Sequence, residues 1–316
     1  MRLIIVLAAI VPPLLVVSYG IAKARANWRC EAVWNAFFLG ALSALAAVAI
    51  EFVIGRLLAV DHMHPLPNAA ARSIFVVAIP EEAIKFLVLI ALAEKHVDVR
   101  RLQDILVLAV AVSLGFATLE NFLYVISPGN WQTVAALRAI TSVPGHGIDG
   151  LAMGTLLMAA RLHRDRPSLL AAALVVPVVL HAAYDFPLFA VAKGAERDLL
   201  VAIWLLVLTC SSIFAIMLCN HVLVKARATD CALGHDGSST DGTDRLIFGG
   251  VAALFAGPAL AALAFYAKGS EATAATAVLS VLPIALGIDA ICTGLEQKRR
   301  RGDERFELYS RRDMNG

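Results

Sequence analysis

Residues 73–93 read SIFVVAIPEEAIKFLVLIALA. The run is long enough to cross a bilayer, which takes about 20 mostly apolar residues. Yet it carries Glu81, Glu82 and Lys85 near its middle, where one charge costs about 2.5–3.5 kcal/mol on insertion scales. A run of this kind lines an enclosed polar space, or it is no span. The whole chain favours the first reading. Hydrophobic residues make up 59% of its 316 positions and charged residues 16%, against roughly 45–50% and about 25% in soluble domains. Mean hydropathy is +0.76. A core of this size cannot bury so much apolar surface, so lipid must cover it. A cytosolic enzyme, a secreted disulfide scaffold and a disordered chain are excluded. The net charge of +2 gives no electrostatic basis for a nucleic-acid partner. The five cysteines (Cys30, Cys210, Cys219, Cys231, Cys292) form no CxxC motif and read as small hydrophobes.

Working outward from 73–93, eight further apolar runs appear: 3–22, 32–54, 104–126, 138–160, 168–192, 199–222, 246–267 and 272–293. They are too long and too uniform for barrel strands, which are about 9–11 residues of alternating pattern. The expected fold class is therefore all-α, a polytopic transmembrane bundle of about nine spanning helices. The first run reads as a retained helix and not as a cleaved signal, because Lys23, Arg25 and Arg29 follow it.

Most of the 27 Lys and Arg fall in the loops after odd-numbered runs and in the tail from Lys298. The other side holds Arg2, Arg56, Arg72, Arg138, Lys193, Arg197 and Lys268. The positive-inside rule then predicts an integral multi-pass plasma (inner) membrane protein with its N-terminus outside and its C-terminus in the cytoplasm. The expected organisation is a two-helix extension (1–71), a four-helix core (72–192), a seventh helix (193–228), a flexible cytoplasmic linker (229–245), a two-helix pair (246–297) and a basic tail (298–316). The linker reads TDCALGHDGSSTDGTDR, with no periodicity.

Ionisable groups concentrate in four consecutive runs. The third has Glu81, Glu82 and Lys85; the fourth Glu120 and Asn121; the fifth His146 and Asp149; the sixth His181 and Asp185. Glu81 and Lys85 are i,i+4, as are His181 and Asp185, so each pair shares a helix face. At 1.5 Å per residue, Glu81, Glu120, His146, His181 and Asp185 all fall about 9–16 Å below the outer ends of their helices. Polar groups at one depth in lipid must meet each other or water, so the four helices are expected to enclose one cavity. Pro80, Pro144, Pro177 and Pro187 loosen the backbone beside these groups. Gly145, Gly147, Gly150 and Gly154 allow close approach around His146.

This set of groups suits activation of water. A carboxylate takes a proton and returns it to a leaving amine. Histidines bind a metal or hydrogen-bond the water directly. HExxH and GxSxG are both lacking. The ordered motifs EEAIK, FATLEN, a histidine on a glycine-rich helix and HAAYD resemble the PrsW-type intramembrane proteases. That family is similar to the wider superfamily of CAAX prenyl endopeptidases and bacteriocin-processing membrane proteins. The resemblance covers about residues 72–190. It implies hydrolysis of a peptide bond in or near the membrane, with a membrane-anchored protein as substrate. It implies catalytic roles for Glu81, Glu82, Glu120, His146, His181 and Asp185, with Glu81 or Glu82 as the base. Lys85 becomes the charge partner. Asn121 and Asp149 are expected to support from behind. Glu120 stands where the wider superfamily has a histidine. The resemblance leaves open a metal-free water or one divalent ion such as zinc, held by His146, His181 and Asp185.

Other groups read as structural. Glu51 is expected to reach the outer headgroups, and Asp289 the cytoplasmic end. His62 and His64 read as solvated loop residues, Phe116 and Tyr184 as packing. Two alternatives to a protease remain at this point: a proton- or cation-coupled transporter, and a non-catalytic binder of single-pass membrane proteins.

Overall fold

A computed structural model of the chain describes residues 30–95, 102–127, 131–163 and 166–232, and parts of 6–18. The chain divides into two units, Met1–Gly237 and Ser238–Gly316, and every described residue belongs to the first. The runs 246–267 and 272–293, the tail 298–316 and most of the linker 229–245 lie outside the described residues. The first run, 3–22, is described only in part.

The described residues are helical, with no strand among them. α1 spans Cys30–Leu57; a short 3-10 turn covers Val60–His62; α2 spans Pro65–Ala71. A π-helical segment, Arg72–Ala78, leads straight into α3, Ile79–Lys95. Then follow α4 (Leu102–Ile126), α5 (Trp131–Ile140), α6 (Ser142–Leu162), α7 (Pro167–Ala192) and α8 (Arg197–Ala232). Helix α8 continues into the segment whose composition suggested a flexible linker.

Four of these helices, α1, α4, α7 and α8, are long and apolar enough to cross a membrane by length and composition. The other two expected spans are helical but interrupted. Run 73–93 combines the π segment with α3, and run 138–160 breaks at Thr141, where φ is −126° and ψ −55°. The π segment has a local cause in Pro80. Proline cannot donate the helical hydrogen bond and its ring crowds the preceding turn. One turn earlier the ladder has already widened, with the Ile79 N–H bonded to the Ile74 carbonyl. Such widened turns occur often at functional sites.

Helix α4 is the central post. Of its most apolar stretch, 67% is buried inside the protein, against 28% for α1 and 22% for α7. It packs closely on α1: a Cβ at Gly40 would run into the Val112 carbonyl, and one at Gly115 into that of Phe37. The apolar core lies in one half of the bundle, where Leu89, Leu92, Leu108, Val112 and Leu157 pack together. The ionisable groups lie in the other half, toward the start of α3 and the end of α4. That division positions the site.

Candidate active site

Glu81, Glu82 and Lys85 sit in the first two turns of α3 and are all buried. The Lys85 ammonium lies 2.8 Å from Glu82 Oε1 and 3.4 Å from Glu81 Oε2. It also lies 3.0 Å from His146 Nδ1 on α6 and 4.1 Å from the centre of the Phe116 ring. Phe116 is thus a cation–π platform as well as packing. On the far side of the imidazole, His146 Nε2 meets Glu120 Oε2 of α4 at 2.6 Å. His181 of α7 completes the ring of contacts. Its Nδ1 is 2.7 Å from Glu82 Oε1 and 3.9 Å from Asp149 Oδ2; its Nε2 is 3.4 Å from Asp185 Oδ2 and 3.9 Å from Glu81 Oε2. The two imidazoles stand edge to face, 5.3 Å apart.

Every residue singled out by the sequence therefore falls in one cluster. Asn121 joins it through Arg138, whose Nε donates to Asn121 Oδ1 at 2.6 Å. The cluster is held in several ways. Ser113 on α4 donates to the His146 carbonyl at 2.6 Å. Tyr184 donates to Thr141 at 2.9 Å. Of the four glycines near His146, Gly150 and Gly154 press against α4, while Gly147 makes ordinary contact and Gly145 faces open space.

Two members were missed. Glu51 was expected at the headgroups; its carboxyl instead lies within the field of Glu81, Glu120, His181 and Asp185. The physical reason is depth: it lies about 9 Å along α1 from Leu57 at 1.5 Å per residue, level with the other charges. Arg138 was counted as a basic group of the outer side. The break at Thr141 makes α5 a separate helix, and its last turn turns the guanidinium inward to Glu120 Oε2 at 2.7 Å.

A small cavity of about 30 Å³ borders the cluster, enough to hold water, since one molecule needs about 10–15 Å³ of such space. Its polar lining includes Glu120, Arg138, Ser142, His146, Asp149, His181, Tyr184, Asp185 and Ser211. Glu81 and Glu82 stand behind the histidines. The set Glu81, Glu82, His146 and His181 also offers four donor atoms within 4.8 Å of one another. Two imidazoles and carboxylates are donors that zinc accepts. Glu82 Oε2 is buried with no hydrogen-bond partner among the described residues, as a ligand oxygen would be. The donors fit a divalent ion. Asp185 is not one of the four; it sits beside His181.

A buried set of carboxylates, imidazoles and one ammonium inside a helical bundle, with room for water beside it, has the chemistry to activate a water molecule. The comparisons give the family. Residues 29–216 match the profile described as PrsW family intramembrane metalloprotease, so the chain belongs to the PrsW family. It is similar to Protease PrsW of Shouchella clausii, 30% identical over 64% of this chain and 93% of that protein. It is likewise similar to Protease PrsW of Bacillus subtilis, 33% identical over 60% of this chain and 84% of that protein. A shorter match to Protease PrsW of Halalkalibacterium halodurans reaches 40% identity over 33% of this chain and 48% of that protein. No solved structure matches the chain. The protein is an integral membrane peptidase of this family.

Proposed function

We propose that this peptidase hydrolyses a peptide bond of a membrane-anchored protein with a water activated by the Glu82–His181 pair. The observation that carries the reading is the 2.7 Å contact between Glu82 Oε1 and His181 Nδ1, with His181 lining the cavity. Glu82 orients the ring and offsets the charge it gains on taking a proton from water. His181 then returns that proton to the leaving amine. Lys85 keeps both glutamates compensated in a place where unpaired charge is costly. Asp149 and Asp185 flank His181 and hold its tilt.

Glu82, His146 and His181, with Glu81 as a fourth donor, are the residues that would hold a divalent ion. Such an ion supplies a water that ionises near neutral pH and polarises the scissile carbonyl. The distribution of basic loop residues supports an orientation with the N-terminus outside and the layer in the outer half of the bilayer. In this reading the cut falls near the outer face of the membrane.

The test uses the full chain in lipid nanodiscs with a single-pass transmembrane peptide carrying a fluorophore pair across its outer juxtamembrane segment. Wild type separates the pair. Glu82→Gln and His181→Ala do not, while keeping the wild-type helix content. Cleavage by both variants at the wild-type rate would place the chemistry elsewhere.

A further inference from the structure

Arg138 is not in any of the motifs that mark the site, yet it holds two residues of one of them, Glu120 and Asn121. Its Nε donates to Asn121 Oδ1 at 2.6 Å. Its Nη2 donates to Ser142 Oγ at 2.8 Å and lies 2.7 Å from Glu120 Oε2. The guanidinium face lies 4.0 Å from the centre of the Tyr124 ring. The plane is thus fixed by α4 on two sides and by the first residue of α6. Glu120 has no freedom left: one oxygen, Oε2, is shared between Arg138 and His146 Nε2 at 2.6 Å.

The proton placement in His146 follows from its neighbours. Lys85 carries only donors, so at 3.0 Å from Nδ1 it donates and Nδ1 accepts. The ring hydrogen is then on Nε2 and is donated to Glu120. A carboxylate that holds one ring nitrogen fixes which nitrogen faces the centre of a site. Here that inward nitrogen is Nδ1, facing Lys85 and the paired glutamates.

We propose that Arg138 is a positioning residue: it locks Glu120, and through Glu120 it holds the His146 ring so that Nδ1, the nitrogen that Lys85 makes an acceptor, stays turned to the centre of the site. The geometry requires a planar fork. A lysine brings one point charge and cannot meet Asn121, Ser142 and Glu120 in one plane. The proposal deepens the peptidase reading, and its main test needs no substrate.

The experiment is nitrogen-15 NMR of the ring-labelled full chain in nanodiscs, with His146 assigned by its loss in His146→Gln. Wild type should show one fixed pattern for His146 with Nε2 protonated. Arg138→Met keeps an apolar stem against Tyr124, and Arg138→Lys keeps a charge. Both should weaken the Nε2–H bond to Glu120, read as a shifted Nε2 signal whose hydrogen exchanges faster with water, while the other histidines and the helix content stay as in wild type. Turnover of the nanodisc peptide should fall about 10–100-fold with KM unchanged. Should the methionine variant not fold, the lysine variant decides alone. A wild-type pattern for His146 in Arg138→Lys, or a wild-type ring protonated on Nδ1, would overturn the proposal. Loss of cleavage in Glu82→Gln leaves this result untouched, so the two claims fail separately.

Discussion

Glu82 and His181 are 99 residues apart in the chain, and Glu82 Oε1 lies 2.7 Å from His181 Nδ1. The same oxygen lies 2.8 Å from Lys85 Nζ. One carboxylate therefore ties α3 to α7 and neutralises the lysine of its own helix. Function and fold meet in that atom, because removing the lysine leaves a charge buried in a bundle that lipid surrounds, and removing the histidine leaves the carboxylate without its partner on α7.

The first consequence concerns Lys85, which is fully buried. Lys85→Met strips the counter-charge from Glu81 and Glu82. Breaking one side of a buried pair costs about 3–5 kcal/mol. The variant should lose that much in a reversible denaturant titration in micelles. Adding Glu82→Gln to it should recover part of the loss, since the uncompensated charge is gone.

Glu51 offers a second prediction. Its carboxyl lies in the field of Glu81, Glu120, His181 and Asp185, where a neutral polar group fits as well as a charged one. Glu51→Gln keeps a polar group at that place and Glu51→Ala does not. Turnover of the nanodisc peptide should stay near wild type in the first and fall about tenfold in the second, the lower end of the effect of removing an outer partner from a site. Equal activity in both would mean that the group does not serve the site.

The close approach of α1 to α4 gives a third. Gly115 leaves no room for a side chain beside the Phe37 carbonyl. Gly115→Val should cost about 1–3 kcal/mol, as overpacking generally does. Because Glu51 rides on α1, the same variant should also lower turnover. Gly145→Ala faces open space and should leave the melting temperature unchanged.

A fourth prediction lies outside the spans. Asp61 accepts from Lys193 at 3.4 Å and from Arg72 at 2.9 Å. These two cations, Lys193 first, hold its carboxyl below the ordinary value of 3.8. A depressed carboxylate contributes stability above its unfolded value and loses it as pH falls through the folded one. The difference in melting temperature between wild type and Asp61→Asn should be constant at neutral pH and vanish at pH below 3.8. The difference should be small, since exposed pairs contribute little. A difference that persists undiminished below that pH would assign it to something other than these ion pairs.

Much of the site was legible because helical spacing and depth are properties of sequence alone. Glu81 with Lys85, and His181 with Asp185, share faces at i,i+4, and their helices place them at one level. Glu51 satisfied the same depth arithmetic, but a single charge near the end of an apolar run reads equally well as a headgroup anchor. Arg138 was hidden by an unseen break. Thr141-Ser142-Val143-Pro144 carried a signal for it, since proline is tolerated in the first turn of a helix and not in its interior. Among the described residues the helical content was readable. The π segment was not, because its cause at Pro80 acts on the turn before it. The contact between Glu82 and His181 was not readable either: periodicity gives a face and a depth, and only packing around α4 decides which faces meet.

The most direct measurement is single-turnover cleavage of the nanodisc peptide in oxygen-18 water, with products read by mass spectrometry. Wild type should yield one cut whose new carboxyl terminus carries a single labelled oxygen, and Glu82→Gln and His181→Ala should yield no cut product. A labelled product formed by either folded variant at the wild-type rate would contradict water activation by the Glu82–His181 pair.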